Sequence, residues 1–158
     1  MSVDDAGYFY SLTEQVLGAV FEVSNTLGSG FLEKVYERAL LRELGLRGIR
    51  ATAQTSIAVT YKGHSVGEYF ADILVEDVLV VELKCVERLA NEHTAQCLNY
   101  LRASGRSLCL LVNFQYFALT QAGPAWESIQ RARNFAAYIP GDLPNPQAEL
   151  IIVLPQTN

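Results

Sequence analysis

Residues 70–84 read FADILVEDVLVVELK, two apolar runs joined by a short polar turn. Such a pattern predicts a β-hairpin. Three charged residues interrupt it: Asp72 in the first run, and Glu82 and Lys84 in the second. The second run, residues 78–85, is too apolar for an edge strand, so these charges are expected inside the sheet and need a physical explanation.

Whether the charges meet depends on the turn. Glu82 and Lys84 are two residues apart on one strand, so their side chains lie on the same face. A two-residue turn would leave the two acids on opposite faces of the sheet. With one more residue in the turn, or a bulge, Val75 pairs with Leu79. Asp72 then lies opposite Glu82, with Cβ atoms about 5 Å apart, and we predict this register.

Two carboxylates at that distance repel each other. In a half-buried site they persist together only if one is protonated or a cation lies between them. Carboxylate oxygens are hard ligands, which favours Mg²⁺ or Mn²⁺ as the cation. Lys84 offers an alternative without metal, because its positive charge would partly offset the two acids.

Apolar residues at helical spacing predict three helices around this hairpin, and further apolar runs predict strands. Helices are predicted at residues 8–27, 31–46 and 89–104, and strands at residues 52–61, 67–75, 78–85 and 107–114. Ser11 or Thr13 is a candidate cap for the first helix. A helix between the last two strands favours a parallel, right-handed crossover. The order α-α-β-β-β-α-β therefore predicts an α/β fold with a central mixed sheet flanked by helices.

The size and composition of the chain fit one compact domain. It has 158 residues, half of them apolar, enough for a single core over residues 1–158. Beyond Gln115 the pattern weakens, and from about residue 134 we expect a proline-rich extension. No apolar run is long enough to span a membrane, and the N-terminus has acids where a secretory signal has bases. We therefore expect a soluble, cytoplasmic protein without a membrane partner.

Charge and cysteine content narrow the functional classes. A net charge of -5 argues against non-specific coating of nucleic acid, which requires many cations. It does not exclude an enzyme acting on phosphates, and it favours a short or structured substrate, or a partner that brings the nucleic acid. The cysteines match no zinc pattern and predict reduced thiols without an assigned role; they are Cys85, Cys97 and Cys109.

Three motifs in the chain resemble those of one nuclease superfamily. Asp72 followed ten residues later by E-L-K resembles the active-site signature of the PD-(D/E)XK nucleases. GFLEKVY, residues 30–36, resembles the G-x-x-E-x-x-Y string of a small bacterial family assigned to that superfamily. QCLNY, residues 96–100, is similar to the Q-x-x-x-Y helix motif of its RecB-like branch. The resemblance covers roughly residues 8–115 and implies a restriction-endonuclease-like core.

The resemblance implies a role for each residue of the charged hairpin. Asp72 and Glu82 would bind Mg²⁺ or Mn²⁺, together with the main-chain carbonyl of Leu83. Glu33 would be a further ligand, directly or through water. Lys84 would orient or help deprotonate the attacking water and stabilise charge on the phosphate. A divalent ion lowers the pKa of its water, so no covalent nucleophile is needed.

The helical motif residues have alternative explanations. Glu33 and Tyr36 are three residues apart and share a helix face, and the motif glycine Gly30 precedes them. If Tyr36 packs inward, Glu33 can reach the site. Otherwise Glu33 is a solvated glutamate. Gln96 and Tyr100, four apart, would hold the nucleophile or the sugar-phosphate backbone. Otherwise they are a surface amide and a core aromatic residue.

Several basic residues lie near these motifs in sequence. Candidate contacts to a nucleic-acid backbone, or simple surface charges, are Arg88, Arg102 and Arg106. His93 lies near the face of Gln96 and Tyr100, and we expect it to be peripheral.

Three functional hypotheses follow. The first is a metal-dependent nuclease that hydrolyses phosphodiester bonds, with DNA favoured over RNA as the substrate. The second is a nuclease-fold module that binds nucleic acid or a protein partner with little or no catalysis. The third is an unrelated α/β domain whose hairpin charges form an internal salt bridge. The complete motif set favours the first, because a binding module has no physical need for a close acid pair. A homodimer is compatible with so small a domain.

Overall fold

The computed structural model describes residues 3–87, 89–106, 108–116 and 150–153. Its elements are, in chain order, α1 (Val3–Leu27), α2 (Glu33–Leu46), β1 (Ala51–Tyr61), β2 (His64–Val75), β3 (Leu79–Lys84), α3 (Asn91–Ser104), β4 (Leu108–Asn113), a 3₁₀ turn (Phe114–Tyr116) and β5 (Leu150–Val153). The predicted α/β fold is confirmed, with one more strand than expected. Within the described ranges, no helix is both long and apolar enough to cross a membrane.

The five strands form one mixed sheet in the order β1-β2-β3-β4-β5. All neighbours are antiparallel except β3 and β4, which are parallel and are connected by α3. Parallel strands require a crossover connection, and the helix supplies it. Because both faces of β3 and β4 are buried under helices, their sequences are almost continuously apolar. The β5 strand pairs with β4 and lies within the segment expected only to be an extended tail.

Helices cover both faces of the sheet. One face packs against α1 and α2, and its buried residues include Val16, Val20, Leu40, Leu44, Ile73, Val81, Leu83 and Leu110. The other face packs against α3 and includes Leu74, Val80, Cys97, Leu101, Cys109 and Leu111. Burial of each large aliphatic side chain contributes about 1.5 to 3 kcal/mol. Val81 and Leu83 pack on the α1 and α2 side. Because side chains alternate along a strand, Glu82 between them projects toward the α3 side.

The turn between β2 and β3 has three residues, as predicted. Val75 pairs with Leu79, and the Val78 amide donates to the Val75 carbonyl over 3.0 Å. The turn requires left-handed backbone at Glu76 and Asp77, with φ of 50° and 59°. This conformation is uncommon for residues with a side chain, so the extra turn residue has a conformational cost.

Two element boundaries differ from the sequence prediction by three residues or more. Helix α1 begins at Val3 rather than near residue 8, so Ser11 and Thr13 lie inside the helix and the proposal that either caps it is wrong. Strand β2 begins at His64, three residues earlier than predicted, and pairs with β1 as a long hairpin. Arg88 and almost all of the predicted C-terminal extension lie outside the described residues.

Candidate active site

The site lies where β2 and β3 separate. Their regular pairing ends at Ile73 and Val81, and beyond this point carboxylates replace backbone carbonyls as acceptors. The Asp72 amide donates to Oε1 of Glu82 over 3.2 Å. The Leu83 amide donates to Oδ2 of Asp72 over 2.8 Å. The two acids therefore face each other across the hairpin, as the three-residue turn predicted.

Strand β2 turns at Asp72. Ala71 and Leu74 both pack in the α3 cluster, whereas Ile73 packs in the α1 and α2 cluster. Regular alternation would place Ala71 and Ile73 on the same side, so the alternation is broken between them. Across from Asp72 on β1, Gln54 adopts left-handed backbone with φ of 53°. Irregularities of this kind re-aim side chains at functional sites.

The acid pair is poorly solvated. Burial, and then the negative charge of Asp72, raise the pKa of Glu82 to about 8. Burial also raises the pKa of Asp72, although the Leu83 amide and the Lys84 charge oppose this. Ionisation of both carboxylates is therefore unfavourable unless positive charge is brought between them.

Lys84 and Glu33 adjoin the pair from β3 and α2. Burial and the charge of Asp72 raise the pKa of Glu33, while the charge of Lys84 lowers it. Lys84 is two residues after Glu82 on the same face. Among the described residues no ion pair joins Lys84 to Asp72 or Glu82. The positive charge of Lys84 therefore lowers the pKa of both carboxylates through space, without a direct ion pair.

The G-x-x-E-x-x-Y string forms the entry into α2. Gly30 has a φ of 105°, which only glycine adopts without strain. The Tyr36 hydroxyl donates to the Gly28 carbonyl over 2.6 Å and accepts from the Phe31 amide over 3.3 Å. The Tyr36 ring is buried and stacks on Phe114 at 4.6 Å. The tyrosine thus anchors the loop that starts α2, and Glu33 is the first residue of that helix.

Sequence reasoning missed Glu37 and Gln54. Glu37 is only 5% exposed and accepts from Nζ of Lys34 and from Nε2 of Gln54, both over 2.9 Å. Its charge raises the pKa of both Asp72 and Glu33. The signal was present in the sequence, because Glu37 is four residues after Glu33 and so lies on the same helix face.

Helix α3 contributes the Q-x-x-x-Y residues. The side chains of Gln96 and Tyr100 share a hydrogen bond, and the Tyr100 hydroxyl donates a short one to the Phe70 carbonyl. Burial, and then the Glu82 charge, raise the pKa of Tyr100 to about 12. Tyr100 therefore stays protonated, adjoins the acid pair and holds β2 in place.

His93 is closer to the site than expected. Its Nδ1 accepts from the Ala90 amide over 3.0 Å at the start of α3. Burial, and then the charge of Lys84, lower its pKa. This residue therefore has a capping role next to the catalytic candidate Lys84, whereas the sequence interpretation made it peripheral.

The three arginines predicted to contact nucleic acid lie apart from this cluster or outside the described ranges. Nε of Arg106 donates to the Asp77 carbonyl over 3.0 Å, at the turn end of β3 and away from Glu82. Arg102 is exposed in the last turn of α3. Arg88 is not among the described residues. Contact of these residues with nucleic acid stays a prediction.

Comparison with protein families identifies the fold. The family model for the PD-(D/E)XK nuclease superfamily matches residues 10–124. The chain belongs to the PD-(D/E)XK nuclease superfamily. A second model, described as bacterial type VI secretion (VasE), matches residues 97–153, about a third of the chain. Comparisons with curated proteins and with solved structures gave no significant match.

Membership of the PD-(D/E)XK superfamily accounts for the mixed sheet flanked by helices, which has the restriction-endonuclease-like arrangement. It supports a nuclease-like function and implies nucleic acid as the substrate. The hypothesis of an unrelated α/β domain is therefore wrong. The internal salt bridge on which it depended is also not formed by Lys84, Asp72 and Glu82.

PD-(D/E)XK nucleases typically use divalent metals, and the acid pair fits such an ion. Mg²⁺ is usually held by one or two carboxylates, with waters and substrate phosphates completing its shell. Asp72 and Glu82 offer these two carboxylates, and a cation would relieve the repulsion that raises the pKa of Glu82. Within the described ranges, no group of three or more His, Cys, Asp or Glu is placed to hold a metal.

Proposed function

We propose that residues 1–158 form a single metal-dependent nuclease domain of the G-x-x-E-x-x-Y, RecB-like branch. It would be a cytoplasmic protein that hydrolyses phosphodiester bonds, with DNA favoured over RNA. The observation that carries this proposal is the convergence of Asp72 and Glu82 in a buried fork of the sheet. A hairpin that served only the core would gain stability from a two-residue turn and apolar residues at these positions.

Asp72 and Glu82 would hold Mg²⁺ or Mn²⁺, with the Leu83 carbonyl as a further donor and Glu33 as another, directly or through water. The ion, when bound, acidifies water and neutralises the scissile phosphate. Lys84 lies on the same strand face as Glu82 and would orient the attacking water and stabilise charge on the phosphate. Both roles depend on the rigid β3 strand, because a well-placed charge in a partly buried site stabilises a transition state without reorganising.

Gln96 and Tyr100 would position the substrate backbone or the nucleophile. The Tyr100 hydroxyl already donates to the Phe70 carbonyl, so its remaining capacity is as an acceptor. Gln96 retains amide hydrogens for a phosphate oxygen. We therefore assign the direct contact with substrate to Gln96, and to Tyr100 the positioning of Gln96 and of strand β2.

Cleavage tests the proposal directly. Purified protein is incubated with single-stranded, duplex and branched DNA and with RNA in Mn²⁺. Asp72→Asn and Lys84→Ala should each lower the cleavage rate at least about 100-fold. Asp77→Asn is the matched control, because Asp77 is an exposed acid at the far end of the same hairpin, and it should cleave like wild type. Cleavage that survives in Lys84→Ala would identify a contaminating nuclease.

A binding module with little or no catalysis is the second candidate. It is favoured by the amides of Asp72 and Leu83, which already bond the two carboxylates and give them a structural role. Calorimetric titration with Mg²⁺ and Mn²⁺ separates the candidates. The nuclease proposal expects binding by the wild type that is lost in Asp72→Asn. Equal heats for both proteins would leave only the binding module.

A further inference from the structure

The β1–β2 hairpin extends beyond the sheet as an arm. The arm is defined as residues 55–70, the part of β1 and β2 that pairs only with itself after β3 has turned away. It carries large apolar side chains that are at least 40% exposed, namely Tyr61, Val66, Tyr69 and Phe70. A solvated hairpin normally places polar residues at such positions, so this arm is exceptional for its aromatic surface.

One of these aromatic residues adjoins the acid pair. The Tyr69 ring is 40% exposed and contacts the Tyr100 ring edge-on at 5.5 Å. Tyr100 in turn adjoins Glu82 and holds the Phe70 carbonyl. Tyr69 pairs with Ile57, which is buried against α3, so both lie on the α3 side of the arm. The surface that Tyr69 presents is therefore continuous with the candidate active site.

The elements around this surface carry little negative charge. Residues 48–67 contain Arg50 and Lys62 and no acid, and residues 93–104 of α3 contain Arg102 and no acid, in a chain with 17 acids. The nearest acid on the arm, Glu68, is hydrogen-bonded to Ser56 on the face opposite Tyr69. The other acids nearby are those of the site itself and Glu92, which is exposed in the first turn of α3 beside His93. A polyanion that follows the Tyr69 face of the arm would therefore meet few carboxylates outside the site.

We infer that Tyr69 is a stacking platform for an unpaired base next to the scissile phosphate, which selects single-stranded nucleic acid. Stacking on an aromatic face needs an unpaired base, because the faces of paired bases are covered by their neighbours in a duplex. A half-exposed ring that already packs against a second ring presents its exposed surface at little entropic cost. This inference rests on the proposed nuclease function, to which it adds the substrate class.

Fluorescence anisotropy of a labelled oligothymidine in Mg²⁺ tests this inference. All proteins carry Asp72→Asn, so that no cleavage occurs. Addition of Tyr69→Ala should weaken binding about 5- to 150-fold, the range measured for loss of one stacked base. Tyr69→Phe should bind like the parent, because it keeps the ring. Phe70→Ala is the matched control: Phe70 is 48% exposed and lies on the opposite face, so binding should be unchanged.

The result that overturns the inference is equal affinity with and without Tyr69→Ala, or no binding by the parent. An equal loss with Phe70→Ala, or a preference for blunt duplex of the same length, would also overturn it. So would sedimentation showing that Tyr69→Ala converts a dimer to a monomer, because the arm would then be an interface between copies. The outcome is independent of turnover. If the wild type cleaves nothing, the proposed nuclease fails while the stacking site is still decided by binding.

Discussion

At the scale of single residues, the defining feature is an acid that remains protonated at neutral pH. Glu82 is nearly fully buried and faces Asp72, and these two causes raise its pKa from the usual 4.5 to about 8. Between these values the unfolded chain has released this proton and the folded protein has kept it. Because the unfolded state then binds fewer protons, the free energy of unfolding falls as pH rises through this window.

We therefore expect the metal-free protein to lose stability between about pH 5 and about pH 8. In Glu82→Gln, which cannot ionise at this position, the free energy of unfolding should fall less steeply with pH. Urea denaturation in EDTA at several pH values measures both proteins. A slope in the variant that is as steep as in the wild type would contradict the raised pKa of Glu82.

Tyr36 provides a second prediction at this scale. Its hydroxyl bonds the Gly28 carbonyl and the Phe31 amide, and Tyr36→Phe keeps the stacked ring while removing both bonds. We expect a loss of about 1 kcal/mol in the free energy of unfolding. Tyr8→Phe, at an exposed tyrosine of α1, should change it by less than about 0.5 kcal/mol. Equal effects of the two substitutions would show that the hydroxyl does not hold the loop.

The meeting of the two acids in the β2–β3 hairpin was predictable from the sequence, and the contact between α2 and β1 beside it was not. The side-chain period of two and the choice between two turn lengths are local, so the meeting of Asp72 and Glu82 followed from the sequence. Helical spacing places Glu37 on the face of Glu33, but its contact with Gln54 exists only because α2 packs across β1, and no local pattern contains that contact. The sequence interpretation gave Glu37 no role.

At the scale of elements, the end of β3 is held by its parallel neighbour. Asn113, at the end of β4, is 2% exposed and pairs in register with Lys84. Its Nδ2 donates to the Val86 carbonyl over 2.8 Å, and its Oδ1 accepts from the amides of Val86 and Gln115, both over 3.2 Å. These bonds fix the chain where it leaves β3, and therefore the position of Lys84.

Asn113→Ala should lower the free energy of unfolding by about 2 to 3 kcal/mol, because buried main-chain groups lose their partners. The cleavage rate of the folded variant should fall as well, through displacement of Lys84. Asn99→Ala removes the same side chain from an exposed position of α3 and should be neutral within about 0.5 kcal/mol. Urea denaturation and the cleavage assay read the two effects, and a neutral Asn113→Ala would exclude this support.

Periodicity located the helices and central strands but not every boundary. Helix α1 extends to Val3 through residues that carry acids and a glycine, where the apolar spacing gives no signal. Strand β5 lies in a segment whose prolines indicated an extended tail. A strand added at an edge is specified by the neighbour to which it pairs, here β4, rather than by its own four residues.

At the scale of the molecule, the chain combines a packed core with a projecting arm. The distal part of the arm, residues 60–67, is exposed, whereas Ile57 is 6% exposed against α3. Replacement of residues 59–67 by Asn-Gly, which suits a two-residue hairpin turn, should change the free energy of unfolding by less than about 1 kcal/mol. Ile57→Ala should lower it by about 2 to 4 kcal/mol. Thermal and urea denaturation compare the two variants. A larger loss of stability from the shortened arm than from Ile57→Ala would show that the tip belongs to the core.

Where β2 and β3 separate, two backbone amides donate to carboxylates instead of carbonyls, and this makes them sensitive to the charge of the site. The amides of Asp72 and Leu83 donate to side chains whose charge changes with pH and would change with a bound cation. Their ¹H–¹⁵N resonances and their rates of hydrogen exchange should therefore respond to both, while neighbouring amides in the regular ladder do not. Two peaks in a spectrum would report the state of the site without any substrate.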